Sequence, residues 1–344
     1  MPNNSTLVLM PEAGVMPQRN WEVIEAMHEP HIEKHPNFIE GPANEISMLD
    51  LSTKNIIPTF ADNSLTISHQ KFIETARQAA MVVFGRDAIT PAEARVSHPI
   101  IGRTPNAQHK KASELRDDEK TIFYQRLAWC AHVATINSHV NGQQVSLTIG
   151  GTRSYHEDKL YARQNPQHFK LFIGFRVRIC SNMMLTCDGV SENLLCMTEA
   201  DIFQHAMTLF QHFNEVKEAT LYNLEALHQV RFDETTFCKI LGRLRLYQAL
   251  PSAQQKALPN VLLGDSIINA ATRQYISNHN FGISSGNGDG SISCWQLMQL
   301  LNESVKSSYS DLWIDRNQNC TDFSMGIANA LTGNDSKGYD WFLN

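Results

Sequence analysis

The stretch FKLFIGFRVRI, residues 169–179, has the clearest side-chain alternation in the chain, and its reading decides the fold. Its odd positions, Phe169, Leu171, Ile173, Phe175, Val177 and Ile179, are all apolar. The even positions are Lys170, Phe172, Gly174, Arg176 and Arg178. Successive side chains of a strand point to opposite faces, so the first set is predicted to enter a core and the second to face away from it. This is the pattern of a half-buried antiparallel strand. Upstream, Asn141-Gly142 is a hairpin signal between two β-compatible runs. Val145, Leu147 and Ile149 then alternate with Gln144, Ser146 and Thr148, and Gly150-Gly151 permits a bulge or a close backbone approach.

Downstream the period changes. Thr198-Glu199-Ala200-Asp201 reads as a capping box. Ile202, Ala206, Leu209, Phe213, Val216, Thr220, Asn223 and Leu227 follow at alternating spacings of four and three, predicting one long helix with an apolar seam. Shorter helices are expected over about 234–249, about 265–278 with Asp265 as cap, and about 292–303, with one or two more after Ser307. Before the sheet, Ser68 reads as the N-cap of a helix carrying Phe72, Ile73, Ala76, Ala79, Ala80 and Val83. Pro91, Pro99 and Pro105 make the next stretch a loop or edge. The first fifty residues are Pro-rich, with at most one short helix near Trp21–Met27.

The expected fold class is therefore α+β, with an antiparallel sheet over about 120–197 and a mainly helical C-terminal half. Three segments follow: an acidic, Pro-rich arm (1–50), an α+β region (51–197) and a helical region (198–344) packed on the sheet so that the two halves share a core.

Composition narrows the function classes. At 344 residues, with 42% hydrophobic and 19% charged side chains, the chain has a globular balance and ample burial capacity. No apolar run approaches the roughly 18 residues that span a bilayer, and the N-terminus lacks the pattern of a secretory signal. Seven cysteines without a C-x-x-C pair predict reduced thiols in a cytoplasm rather than a disulfide scaffold or zinc ribbon. The net charge of −6 resides in the arm, where Arg19 and Lys34 face eight carboxylates. Residues 150–180 instead hold six cations against Glu157 and Asp158. An acidic whole argues against indiscriminate nucleic-acid binding, yet a local basic face survives.

Arg153, Tyr155, Lys170, Phe172, Arg176 and Arg178 form the leading candidate site. Cations beside aromatics supply what single-stranded nucleic acid needs: charge for phosphates and π-faces for bases. The bland alternative is a solvated strand face whose arginines pair with nearby carboxylates. Lys239, Arg243 and Arg245 fit a helix C-terminus and its dipole. Lys306 lacks the glycines of a phosphate loop. His28, His31 and His35 have a ligand-like spacing, but Pro30 and Pro36 break the helix that would converge them. His156-Glu157-Asp158 would need a turn to act together as acid and base. His205 and His212 read as packing or surface residues. Gly286 to Gly290 read as a surface turn without the distal ligand of a calcium loop. Cys180-Ser181-Asn182 reads as a turn or cap, since a nucleophilic Cys needs a base nearby in space. No cofactor is expected.

Several segments, in order, identify a family resemblance: IIPTFADNSLTISHQKFIE (56–74), RVSHPIIGRTPNAQHKKASEL (95–115), SLTIGG (146–151), HFKLFIGFRVRICSN (168–182), LGRLRLYQALP (241–251), SVKSSYSDLWIDRNQN (304–319) and WFLN (341–344). They resemble domain of unknown function family 3871, found on conjugative and other mobile elements of Bacteroidetes. VRICSN also resembles an element of a broader phage- and plasmid-borne family. The resemblance implies a mobile-element accessory protein and supplies no catalytic residues. The order strand, strand, strand, long helix over 121–228 is similar, in topology alone, to phage single-strand annealing proteins. The expected function is association with DNA or RNA through the basic strand face. The alternatives are a protein-interaction or anti-defence module, in which that face and the acidic arm meet a protein partner, and an enzyme of unrecognised type.

Overall fold

The computed structural model describes residues 36–41, 43–53, 65–158, 166–277 and 291–344. The expected helix near Trp21–Met27, the histidines His28, His31 and His35, and the turn at Gly286 to Gly290 lie outside the described residues. In chain order the elements are β1 (Asn44–Ile46), α1 (Met48–Thr53), α2 (His69–Phe84), β2 (Glu93–Val96), β3 (Ile100–Arg103), β4 (Lys120–Tyr124), β5 (Arg126–Val140), β6 (Gln143–Ser154), β7 (Gln167–Val177), β8 (Met183–Met184) and β9 (Leu194–Cys196). There follow α3 (Glu199–Ala226), β10 (Arg231–Phe232), α4 (Glu234–Ala249), α5 (Ser252–Gln255), α6 (Asp265–Ser277), β11 (Ile292–Ser293), α7 (Cys294–Val305) and α8 (Ser310–Thr332).

The fold is α+β, with an antiparallel sheet in the middle of the chain and a helical C-terminal half. The sheet has the order β1-β2-β5-β6-β7-β8, and β9 also pairs with β7. Its extent differs from the expected 120–197. β1 and β2 join from the N-terminal side, while β4 leaves to form a separate ribbon with β3. The four-residue β2 follows Pro91 and precedes Pro99, too short for its alternation to show in the sequence. The Asn141-Gly142 turn joins β5 to β6, with φ of 52° and 75° at its two residues, as a two-residue hairpin of this type requires.

One face of the sheet carries Leu127, Trp129, Leu147, Ile149, Phe169, Leu171, Ile173 and Phe175, all buried. α2 and α3 cover it. The hydroxyl of Ser68 accepts from Lys71 N at the start of α2, and Thr198 and Asp201 form the reciprocal capping box of α3. The same apolar cluster continues through α4, α6, α7 and α8, so sheet and helical half share one contiguous core.

The second face is where the structure departs from the alternation. Phe172, Gly174 and Arg176 are buried and Lys170 is half-buried, so β7 is covered on both faces rather than half-buried. The cover is α8 together with residues 36–41. The Trp313 ring stands edge-on to Phe172 at 5.5 Å and to Phe38 at 5.6 Å. Ala128, Cys130, Met183, Leu185 and Ile314 complete this second core. A side chain at Gly150 would run into the Trp129 carbonyl and the Phe172 ring, so the close approach allowed by the glycine pair is used. Ile179 is also corrected. β7 ends at Val177, the 177–182 turn places Ser181 at φ 59°, and Ile179 is turned to solvent at 76% exposure.

The C-terminal helices fall close to their expected spans. α6 begins at Asp265 instead of being capped by it, and the Gly264 carbonyl accepts from Ile267 N and Ile268 N. The region after Ser307 forms a 23-residue α-helix, α8, ended by Gly333 at φ 76°, and a short 3₁₀ helix over Tyr339–Phe342.

Burial on the second face makes Phe172→Ala a sensitive probe. We expect a loss of about 3–5 kcal/mol in chemical denaturation, against the about 0.5 kcal/mol typical of a solvent-facing strand position.

Candidate functional site

The six residues that the sequence nominates do not form one solvent-facing platform. Arg153 and Tyr155 are buried. The Arg153 guanidinium donates to Asp158 Oδ2 at 2.9 Å, to Gln167 Oε1 at 2.7 Å and to the Ile67 carbonyl, and packs on the rings of Tyr155 and Phe169. A buried guanidinium must be paired in this way. Arg176 is likewise buried. It donates to both Glu93 oxygens at 3.1 and 3.2 Å and to Ser181 Oγ at 2.8 Å, and its Nη1 lies 3.1 Å from His132 Nε2. Phe172 belongs to the second core. Lys170 pairs with Asp315 of α8 at 2.5 Å. Of the six, only Arg178 is exposed.

The other nominated motifs resolve into structural roles. Ser181 receives Arg176, and Asn182 Nδ2 donates to Gln299 Oε1 at 3.0 Å. Burial pushes the Cys180 thiol up, the opposite of an activated nucleophile. Lys306 is buried, with its ammonium on Glu303 at 2.7 Å and on the Cys180 carbonyl. Arg243 lies over the Trp341 ring at 4.9 Å. His212 Nε2 lies 3.9 Å from Asp188.

Where β6 and β7 meet the start of α8, a cleft of about 240 Å³ opens, lined in part by Arg153, Glu157, His168, Lys170, Asp311 and Asp315. The 155–157 segment is a 3₁₀ turn. That turn separates the His156-Glu157-Asp158 trio. Asp158 turns inward to Arg153, whereas His156 and Glu157 meet Asp311, one potential ligand atom of each lying within 4.8 Å of the others. Burial raises the Glu157 carboxyl; His156 and His168 oppose the shift in part, and Asp311 and Asp158 add to it.

An aromatic and cationic group adjoins the cleft. The Arg126 guanidinium lies 4.9 Å from the Tyr124 ring centroid and 4.5 Å from that of Tyr309. It pairs with Asp311 at 3.0 Å and donates to the Tyr124 hydroxyl. The rings of His98 and His156 lie 5.9 and 5.6 Å from Tyr124, and Tyr309 is 48% exposed. Tyr124, Arg126, Tyr309 and Asp311 are absent from the sequence-based site. The signal available for two of them was their place in SVKSSYSDLWIDRNQN, where no periodicity distinguishes them.

Over residues 18–343 the chain matches the family described as "Domain of unknown function, B. Theta Gene description (DUF3871)". The chain belongs to this family. No curated protein and no solved structure matches it. Among the described residues of this DUF3871 protein, no helix is long and apolar enough to cross a membrane.

Next to the cleft, His69 is buried and stacked on Tyr155, with ring centroids 4.0 Å apart. Neither of its ring nitrogens has a hydrogen-bond partner among the described residues. Burial, and then the Arg153 charge, hold its pKa well below the usual histidine value. The folded protein therefore keeps His69 neutral, while the unfolded chain takes up a proton near pH 6.5. Its contribution is complete above that pH and is lost as the pH falls below it. In urea titrations, the stability advantage of His69→Phe over the wild type is expected to widen from pH 7.5 to pH 5.5. A constant gap would show that His69 is not held neutral.

Proposed function

We propose that this protein is a cytoplasmic accessory protein of a mobile element that associates with single-stranded nucleic acid at the cleft between β6, β7 and α8. The mobile-element part rests on the family resemblance. The binding part rests on one observation: Arg126 held between the rings of Tyr124 and Tyr309, with Tyr309 exposed and Lys170 lining the neighbouring cleft. Exposed aromatics stack on bases without regard to sequence, and adjacent cations meet the phosphates. Of the six residues of the sequence-based face only Lys170 takes part in this reading, and the aromatics and the second cation come from β4, β5 and the N-cap of α8. Arg153 and Arg176 support the site as buried, paired structural groups.

A protein partner is the second reading, favoured by a different place. The β3–β4 ribbon, a two-stranded element outside the main sheet, exposes the apolar side chains of Ile100, Ile101 and Phe123.

Fluorescence anisotropy with labelled single- and double-stranded oligonucleotides, over a salt series, separates the two. We expect saturable binding that prefers the single strand and weakens with salt. Tyr309→Ala should weaken it about tenfold, within the roughly 1–3 kcal/mol that one base–aromatic stack contributes. Absence of binding even at low salt would overturn the proposal. Binding indifferent to Tyr309→Ala would remove it from this cleft.

A further inference from the structure

We propose that His156, Glu157 and Asp311 form a site for one first-row divalent cation, zinc or manganese, open to the cleft. Their ligand atoms come from two elements distant in sequence, the 155–157 turn and the first turn of α8, and lie within 4.8 Å of one another. Bonds of about 2.0–2.2 Å to a shared tetrahedral ion put its ligand atoms about 3.4 Å apart. Closing from up to 4.8 Å requires a contraction of about 1 Å, which rotation of the exposed His156 and of the long Glu157 side chain supplies.

A separate observation points to a ligand. Asp311 gives Oδ2 to Arg126, but its other oxygen, Oδ1, is buried and accepts from no donor among the described residues. A buried carboxylate oxygen without a donor is costly, and a cation satisfies it. The imidazole is prepared in the same sense. His156 Nδ1 is 2.5 Å from Ser154 Oγ. A proton on Nδ1 donated to that hydroxyl leaves the Nε2 lone pair for a metal, the arrangement in which an outer partner fixes the ligand tautomer.

The turn itself is held on both sides. Tyr155 is buried under His69, and Asp158 is locked to Arg153. One imidazole nitrogen and two carboxylates suit zinc or manganese better than calcium, which takes six to eight oxygens, or copper(I), which favours thiolates. Three protein ligands leave coordination positions toward the cleft, where Lys170 and His168 stand. The site does not depend on the nucleic-acid reading, since a cation can fill it whether or not an oligonucleotide binds.

The test uses the full chain, titrated with Mn²⁺ alone by electron paramagnetic resonance and with Zn²⁺ alone by calorimetry. His28, His31 and His35 are a competing source of zinc ligands, so the triple variant H28A/H31A/H35A is titrated in parallel. We expect one equivalent of metal in the wild type and in the triple variant, and at least tenfold weaker binding in His156→Ala and in Glu157→Gln. Because His156 is exposed, His156→Ala should still fold without metal, its melting temperature lowered only by the loss of the Ser154 and Tyr124 contacts. Added Mn²⁺ should raise the melting temperature of the wild type but not of that variant, since a ligand bound only to the folded state stabilises it. No saturable binding, binding unchanged in both single variants, or binding lost in the triple variant would each overturn the proposal.

Discussion

Covering both faces of one strand, β7, is the constraint from which the rest of this structure follows. Its apolar face lies against α2 and α3, and its mixed face is covered by α8 and residues 36–41. Once the mixed face is removed from water, each polar group on it needs a partner. Arg176, on that face, is enclosed accordingly by Glu93, His132 and Ser181, and Arg153 of β6, buried on the α2 side of the sheet beside Phe169, is enclosed by Asp158 and Gln167. Desolvated guanidinium groups tolerate little displacement of those partners, so they fix the positions of β2, the 177–182 turn, the 155–158 turn and the start of β7 together.

That fixation is what gives the cleft its shape. Asp158 faces inward to Arg153, which turns Glu157 and His156 toward α8, and the first turn of α8 brings Asp311 to them. Lys170 and Asp315 pair across the same boundary. The cleft therefore collects charged and aromatic groups from β4, β5, the 155–157 turn, β7 and α8, and none of these elements carries enough of them to be recognised alone.

Much of the architecture was legible because local rules decided it. The capping box at Thr198, the N-cap at Ser68, the Asn141-Gly142 hairpin and the β7 alternation each correspond to the observed element. The cover on the second face was not legible, for a physical reason. α8 docks through amides as well as apolar side chains. Asn317 donates to the Met183 carbonyl at 3.0 Å and accepts from Leu185 N at 3.2 Å, while Asn319 bonds the backbone of Asn260 and Leu262. A helix that binds a sheet through asparagines shows no clean apolar stripe, so its sequence reads as solvent-facing. Charge on alternate positions of β7 then looks like a wet basic face. The site followed the same error: Lys170, read from the sequence as part of a basic strand face, lines the cleft, but Tyr309 and Asp311 became visible only when α8 was seated.

Hydrogen exchange followed by mass spectrometry under native conditions tests the two-sided burial of β7 most directly. The account predicts that the amides of β7 and of α8 fall in one slow class and exchange only through global unfolding. Rapid exchange across α8, at a rate indifferent to denaturant while β7 stays protected, would contradict it. The mixed face of β7 would then be one that opens to solvent in the folded protein.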